Sequence, residues 1–161
     1  MTIEVQELSA DDWLVWRDLR LAALAEAPAA FGSRLADWTD ASEDRWRARL
    51  ELPGARNAVV RLDGAPVGMA SGVPGDEEGV VELISMWVAP DGRGRGVGDR
   101  LMRQIEEWAR ADGAHALELA VADGNDPARK LYLRHGYFDT DKPGDLMPDG
   151  VRHEIVMRKQ L

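Results

Sequence analysis

The sequence predicts an α/β (α+β) protein, a mixed sheet flanked by helices, in a single domain over residues 1–161. Three observations lead there. Apolar residues recur with strand period in some stretches and helical period in others. The resulting order is strand, two helices, three strands, helix, strand, helix, two strands, which calls for a layered sheet-and-helix architecture. Between these stretches fall the prolines, glycines and capping residues that start and stop such elements.

Taken in order, Ile3 and Val5 alternate with polar residues and predict a short first strand. Ser9 with Asp12 forms a helix-start box. A helix follows from Ala10 to Glu26, with Trp13, Trp16, Leu19, Ala23 and Leu24 on its apolar side, and Pro28 ends it. Ala29 to Thr39 reads as a loop. Ser42 caps a second helix bearing Trp46 and Leu50, which stops at Pro53-Gly54. Ala58 to Leu62 and Val67 to Val73 read as strands joined at the hairpin signal Asp63-Gly64.

Val80 to Ala89 is apolar at nearly every position, as expected of a strand buried on both faces. A helix with Val97, Leu101, Ile105, Trp108 and Ala109 on one side follows, stopping at Asp112-Gly113. Ala116 to Ala122 is the next strand. Asn125-Asp126-Pro127 predicts a helix start with a capping carboxylate and proline in the first turn, and Gly136 a left-handed stop. Tyr137 to Thr140 and Val151 to Arg158 are expected to close the sheet as an antiparallel pair around a Lys142–Gly150 loop.

Composition narrows the function. The chain is 45% hydrophobic and 30% charged, ordinary for a globular domain. A net charge of -9 argues against a nucleic-acid partner and weakly favours cationic small molecules or basic peptides. With no cysteine, disulfides and thiolate chemistry are excluded. His115, His135 and His153 are scattered without ligand spacing, so no metal site is expected. No export signal or membrane-spanning run is visible, and the expected location is cytoplasmic.

The most informative stretch is Arg93-Gly94-Arg95-Gly96-Val97-Gly98, between the apolar strand and an amphipathic helix. Bare backbone amides there, together with a helix start, make an anion cradle suited to phosphate. Two familiar phosphate loops fail on spacing. No three of Gly92, Gly94, Gly96 and Gly98 fit the dinucleotide fingerprint, and Gly98 is followed by Asp99-Arg100 rather than Lys-Ser/Thr. The remaining pattern, Arg93-x-x-Gly96-x-Gly98 led by Val88-Ala89-Pro90, resembles the pyrophosphate loop of the GNAT acetyltransferases. A second motif, Asn125-x-x-Ala128-x-x-x-Tyr132-x-x-x-Gly136-Tyr137, also resembles that family, and the order of elements agrees over nearly the whole chain.

The resemblance implies a GNAT fold with about seven strands, mostly antiparallel, and about four helices, and acetyl-CoA as cosubstrate. It implies coenzyme contacts from Met86, Trp87 and Val88 through their main chains, and from Arg93, Gly94, Arg95, Gly96, Val97 and Gly98 at the pyrophosphate. Asn125 and Ala128 would lie along the pantetheine arm and Lys130 near the adenosine phosphate. Tyr132 would stand beside the thioester. Family members often form homodimers, and no sequence feature decides the oligomeric state here.

The chemistry of the residues agrees with acetyl transfer. A phenol of pKa about 10 is protonated at neutral pH and can give its proton to a leaving thiolate of parent pKa about 8.5. Tyr132 has that type. An attacking alkyl amine must first lose a proton, and Glu82, the only acid within the central strand, is the expected base. Asp123 and Glu118 are weaker candidates, and a water chain is a further alternative. Amides near Trp87 and Val88 suit the developing oxyanion.

The expected acceptor is a primary amine of a small molecule or peptide. Its groove is implied near Phe31, Gly32, Trp38 and Trp46, whose rings either hold a ligand or anchor the core. The acids Asp76, Glu77 and Glu78 either attract an ammonium or are simply solvated. A non-catalytic acyl-CoA sensor on the same fold is the alternative function, and transfer of a larger acyl group a variant of the first.

Overall fold

The computed structural model describes residues 1–161. One seven-stranded sheet runs through it in the order β1-β2-β3-β4-β5-β7-β6. The strands are β1 (Ile3–Leu8), β2 (Arg56–Leu62), β3 (Ala65–Pro74), β4 (Val80–Val88), β5 (Ala116–Ala122), β6 (Phe138–Leu146) and β7 (His153–Gln160). Four helices flank it: α1 (Trp13–Glu26), α2 (Glu43–Leu50), α3 (Val97–Ala111) and α4 (Asp126–Arg134). Only β4 and β5 pair in parallel; the remaining neighbours are antiparallel. No helix is long and apolar enough to cross a membrane.

Period-2 alternation sorts the sheet's side chains onto two cores. On one face, Val97, Leu101 and Ile105 of α3 meet Val60, Ala70, Leu83 and Leu119. On the other, Trp16 and Leu24 of α1 and Trp46 of α2 meet Val59, Met69 and Trp87. Trp16 and Trp46 are fully buried there, and truncation of either to alanine costs about 3–5 kcal/mol.

The local signals act largely where the sequence places them. Ser9 and Asp12 form the reciprocal box at the start of the first helical segment. Ser42 accepts from the Arg45 amide to cap α2. Asp63 and Gly64 both take positive φ in the β2–β3 turn.

Three expectations change. The cap of α4 is the Asn125 amide, whose oxygen accepts from the Ala128 N–H, not the Asp126 carboxylate. β6 runs on through Lys142 and Pro143 to Leu146, where a loop was expected. Pro143 is tolerated because β6 is an edge strand, and the β6–β7 register slips on either side of it. Finally, β4 is only half-buried at Glu82 and from Ile84 to Met86. It lines a cavity there, so it is not enclosed on both faces.

A break in the sheet prepares the site. Strands β4 and β5 pair over Val80–Leu83 with Ala116–Leu119, and no pairing continues beyond Leu83. Opposite, the β3–β4 register shifts between Met69 and Ser71. Ser85 sits at that irregularity with φ 56°, a left-handed conformation rare for a residue with a side chain. The bulge bends β4 away from β5 and leaves the edge of Met86, Trp87 and Val88 open on that side.

Candidate active site

Two cavities meet where the strands part. The first, about 440 Å³, lies between α1, α2 and the outer half of the sheet. The second, about 960 Å³, runs along the N-terminus of α3. They share the walls Ala30, Phe31, Met86, Asn125, Ala128 and Tyr132.

The second cavity contains the glycine cradle. Gly94 and Gly96 have φ of 73° and 81°, which glycine adopts without strain. A Cβ at either would meet nothing within 4 Å, so the loop faces open space. Gly96 caps α3, and the Arg100 N–H is the first to close a helical bond, to Gly96. The preceding amides of Val97, Gly98 and Asp99 therefore remain available to an anion. A Cβ on Gly98 would stand 3.4 Å from Leu131, so this residue lets α3 and α4 approach at the cavity wall.

Charged groups at its rim are already held. Arg93 donates Nη2 to Glu26 at 2.7 Å and Nε to the Val88 carbonyl. Glu26 also accepts from the Trp87 indole at 3.1 Å. Bonds from Arg93 and then Trp87 hold the Glu26 carboxyl below its usual range. Asp99 is likewise held low, first by Arg134 and then by His135. Arg152, not foreseen from the sequence, reaches the same cavity and bridges the carbonyls of Asp123 and Ala29. Arg95 and Lys130 are exposed and line neither cavity.

Tyr132 is 6% exposed and stands in the wall common to both cavities. Burial raises its phenol well above the usual range. It is a proton donor at any working pH. Ala128 lies one turn before it on the same face of α4, and Asn125, the cap of that helix, two turns before it.

The first cavity is lined by acids on one side. Glu82 of β4, Glu154 of β7 and Asp145 of β6 border it. Burial raises the Glu82 carboxyl, and Asp76, Glu118 and Asp145 raise it further, against a smaller opposing effect of Lys142. Burial likewise raises Glu154, with Asp145 and Glu82 adding to it. A raised carboxyl among other acids, in a cavity, has the character of a general base. Glu118 and Asp123 do not line it. Glu118 is engaged by Lys142 and Arg158, both at 2.9 Å. Glu77 is engaged by the same two cations, at 3.0 and 3.4 Å. The alternation in β7 that turns Glu154 inward is visible in the sequence, but which side faces a cavity is set only by the neighbouring strand.

Phe31, Trp38 and Trp46 all border the first cavity. Trp38 and Trp46 pack against each other tilted by 43°, with ring centroids 4.7 Å apart. The face of Trp38 is covered by Arg45 at 4.0 Å, and Phe31 lies under Arg20 at 4.6 Å. Phe31 and Trp38 are thus partnered by the protein's own cations, and Trp46 by Trp38. Arg20 and Arg49 also line this cavity. A signal for Arg20 was present: it sits four residues from both Trp16 and Leu24, on the apolar stripe of α1.

Residues 13–137 match the model of the acetyltransferase (GNAT) family. The chain is 35% identical to the IAA acetyltransferase of Azospirillum brasilense over 112 residues, 70% of this chain and 72% of that protein. It is 41% identical over 119 residues to the amino-acid acetyltransferase of Ralstonia nicotianae, 73% of this chain but 26% of that longer protein. Among solved structures, yncA of Salmonella typhimurium, determined with its cofactor acetyl-CoA, superimposes with a TM-score of 0.79. That likeness covers 100% of this chain and 95% of the other at 22% identity, and it concerns the fold.

Proposed function

This chain belongs to the acetyltransferase (GNAT) family, and we propose that it moves the acetyl group of acetyl-CoA directly to a primary amine of a small molecule or peptide. It is an acyltransferase. One observation carries the finer reading: Tyr132 and Met86 border both the phosphate-suited cavity and the acid-lined one. A donor anchored at the glycine cradle would bring its acyl end to the wall where an acceptor waits.

The residues then have distinct work. Free amides at Gly94–Asp99 and the Arg93 guanidinium hold the pyrophosphate. The unpaired edge of Met86–Val88 receives the pantetheine amides as an added strand would. Glu82 removes the ammonium proton. Holding an amine of pKa about 10.4 neutral at pH 7 otherwise costs roughly 4–5 kcal/mol. Amides near Trp87 and Val88 meet the oxyanion, and Tyr132 supplies the proton to the departing sulfur. The exposed Arg95 and Lys130 have at most a peripheral electrostatic part.

The named relatives differ in what they act on, so the acceptor is a question for the site's own groups. The test is thiol release from acetyl-CoA by the purified protein across an amine panel, with the acetylated product identified by mass. Coenzyme binding without release for any acceptor would favour a sensor instead.

A further inference from the structure

Two cations in the wall of the first cavity have no acid to pair with. Arg20 projects from the apolar stripe of α1 and is only 9% exposed. Its Nη1 is buried without a hydrogen-bond partner. Arg49 of α2 spends its donors on neutral oxygens: Asn57 Oδ1 at 3.2 Å and the hydroxyls of Ser71 and Ser85, each at 3.1 Å. Burial lowers both guanidiniums to about 10, and Arg49 adds to the effect on Arg20. Burying one unpaired charge is unfavourable, and two of like sign in one wall more so. What completes this arrangement is an anion arriving from the cavity.

The same cavity carries Glu82, Glu154 and Asp145 on its sheet side. It therefore has a cationic end and an anionic end. Its complement is a molecule with an ammonium and a carboxylate. This reverses the expectation from net charge alone: the overall -9 favours a cation, whereas the buried arginines demand an anion.

We propose that the acceptor is an amino acid or a related small aminocarboxylate, its carboxylate held by Arg20 and Arg49 and its amine presented to Glu82. The proposal rests on the acetyl-transfer reading above. The amine nitrogen bonds to the thioester carbonyl carbon and the carbon–sulfur bond breaks. Of the two protons the ammonium loses, one is balanced on the coenzyme thiol and the other passes to solvent through Glu82. The product is an N-acetylated acid that keeps its carboxylate. A carboxylate suits the cavity better than a phosphate dianion, because three acids line it as well.

The experiment compares the proteinogenic amino acids with their α-carboxamides as acceptors. The amide has the less basic amine, so preference for the acid runs against intrinsic reactivity. At least one amino acid should exceed its amide by about tenfold or more in kcat/KM. Arg20→Met should erase most of that ratio, and Arg20→Lys should retain part of it. Equal use of the amides, an unchanged ratio in Arg20→Met, or a preference for phosphoethanolamine would overturn the proposal.

Binding is measured separately, without donor, by quenching of tryptophan fluorescence, since Trp16, Trp38 and Trp46 line the cavity. An amino acid should bind the wild type and lose about tenfold in affinity in Arg20→Met. If no acceptor of any kind releases thiol, the acetyl-transfer reading fails while amino-acid binding still judges this one. Absence of such binding at ~10 mM overturns it.

Discussion

Arg49 Nη2 lies 3.1 Å from Ser85 Oγ, so a cation from α2 clasps the left-handed residue at which β4 bends. The same nitrogen holds Ser71 at 3.1 Å on β3, and Ser71 donates to Asn57 Oδ1 at 2.7 Å on β2. The bulge that separates β4 from β5 is thereby pinned by one buried polar network crossing three strands.

That network makes Ser85 sensitive in a specific order. Valine adds β-branching at positive φ and removes the acceptor, and should destabilise the protein by about 2–4 kcal/mol. Glycine relieves the φ strain while losing the same bond, and should cost less. Urea denaturation of both variants checks this; a more damaging glycine would contradict it.

Glu82→Gln should lower kcat/KM by roughly 10²-fold or more if its carboxylate is the base. In the wild type the activity should fall as pH drops through a carboxyl value above 4.5, because burial and then Asp76, Glu118 and Asp145 favour the neutral form. Glu154 titrates with it and broadens that limb. The stability sign is opposite to that of an ordinary salt-bridged acid. A raised native value means the folded state binds more protons, so this contribution is full below the unfolded value and lost as pH rises through the folded one. Glu82→Gln should therefore be more stable than wild type at neutral pH, as thermal melts across pH would show.

Tyr132→Phe keeps the ring and removes the proton. Turnover should fall by about 10²-fold while coenzyme affinity changes little. Stopped-flow turnover beside calorimetric coenzyme titration separates the two; loss confined to affinity would make Tyr132 a wall and nothing more.

Arg20→Met should raise stability even as it damages acceptor recognition. Keeping this guanidinium charged with its value lowered to about 10 costs on the order of 3 kcal/mol, and methionine fills similar space without charge. Part of that gain is offset by the lost contact with Phe31. A melting temperature raised by roughly 2–8 °C is expected. A lower one would mean that the arginine supports the fold.

Much of this was legible before the structure, for physical reasons. The cradle could be read because left-handed turns select glycine, and Gly94 and Gly96 do adopt positive φ. The caps at Ser9 and Ser42 are short-range effects visible in a few residues, and so is the start of α4, although Asn125 rather than the expected carboxylate caps it. Tyr132 came from its motif. What stayed hidden depends on contacts between distant segments. Arg20, Arg49 and Glu154 lie on three different elements and meet only through the tertiary fold. Ser85 occupies a strained conformation that no local pattern signals, and the extension of β6 past Pro143 reflects its place at the sheet edge.

The central claim is tested most directly by a crystal structure of the protein grown with coenzyme A. The account predicts diphosphate density on the amides from Gly94 to Asp99, and the sulfur at the wall formed by Met86 and Tyr132. Diphosphate density away from that turn, or a sulfur pointing out of the shared wall, would contradict it.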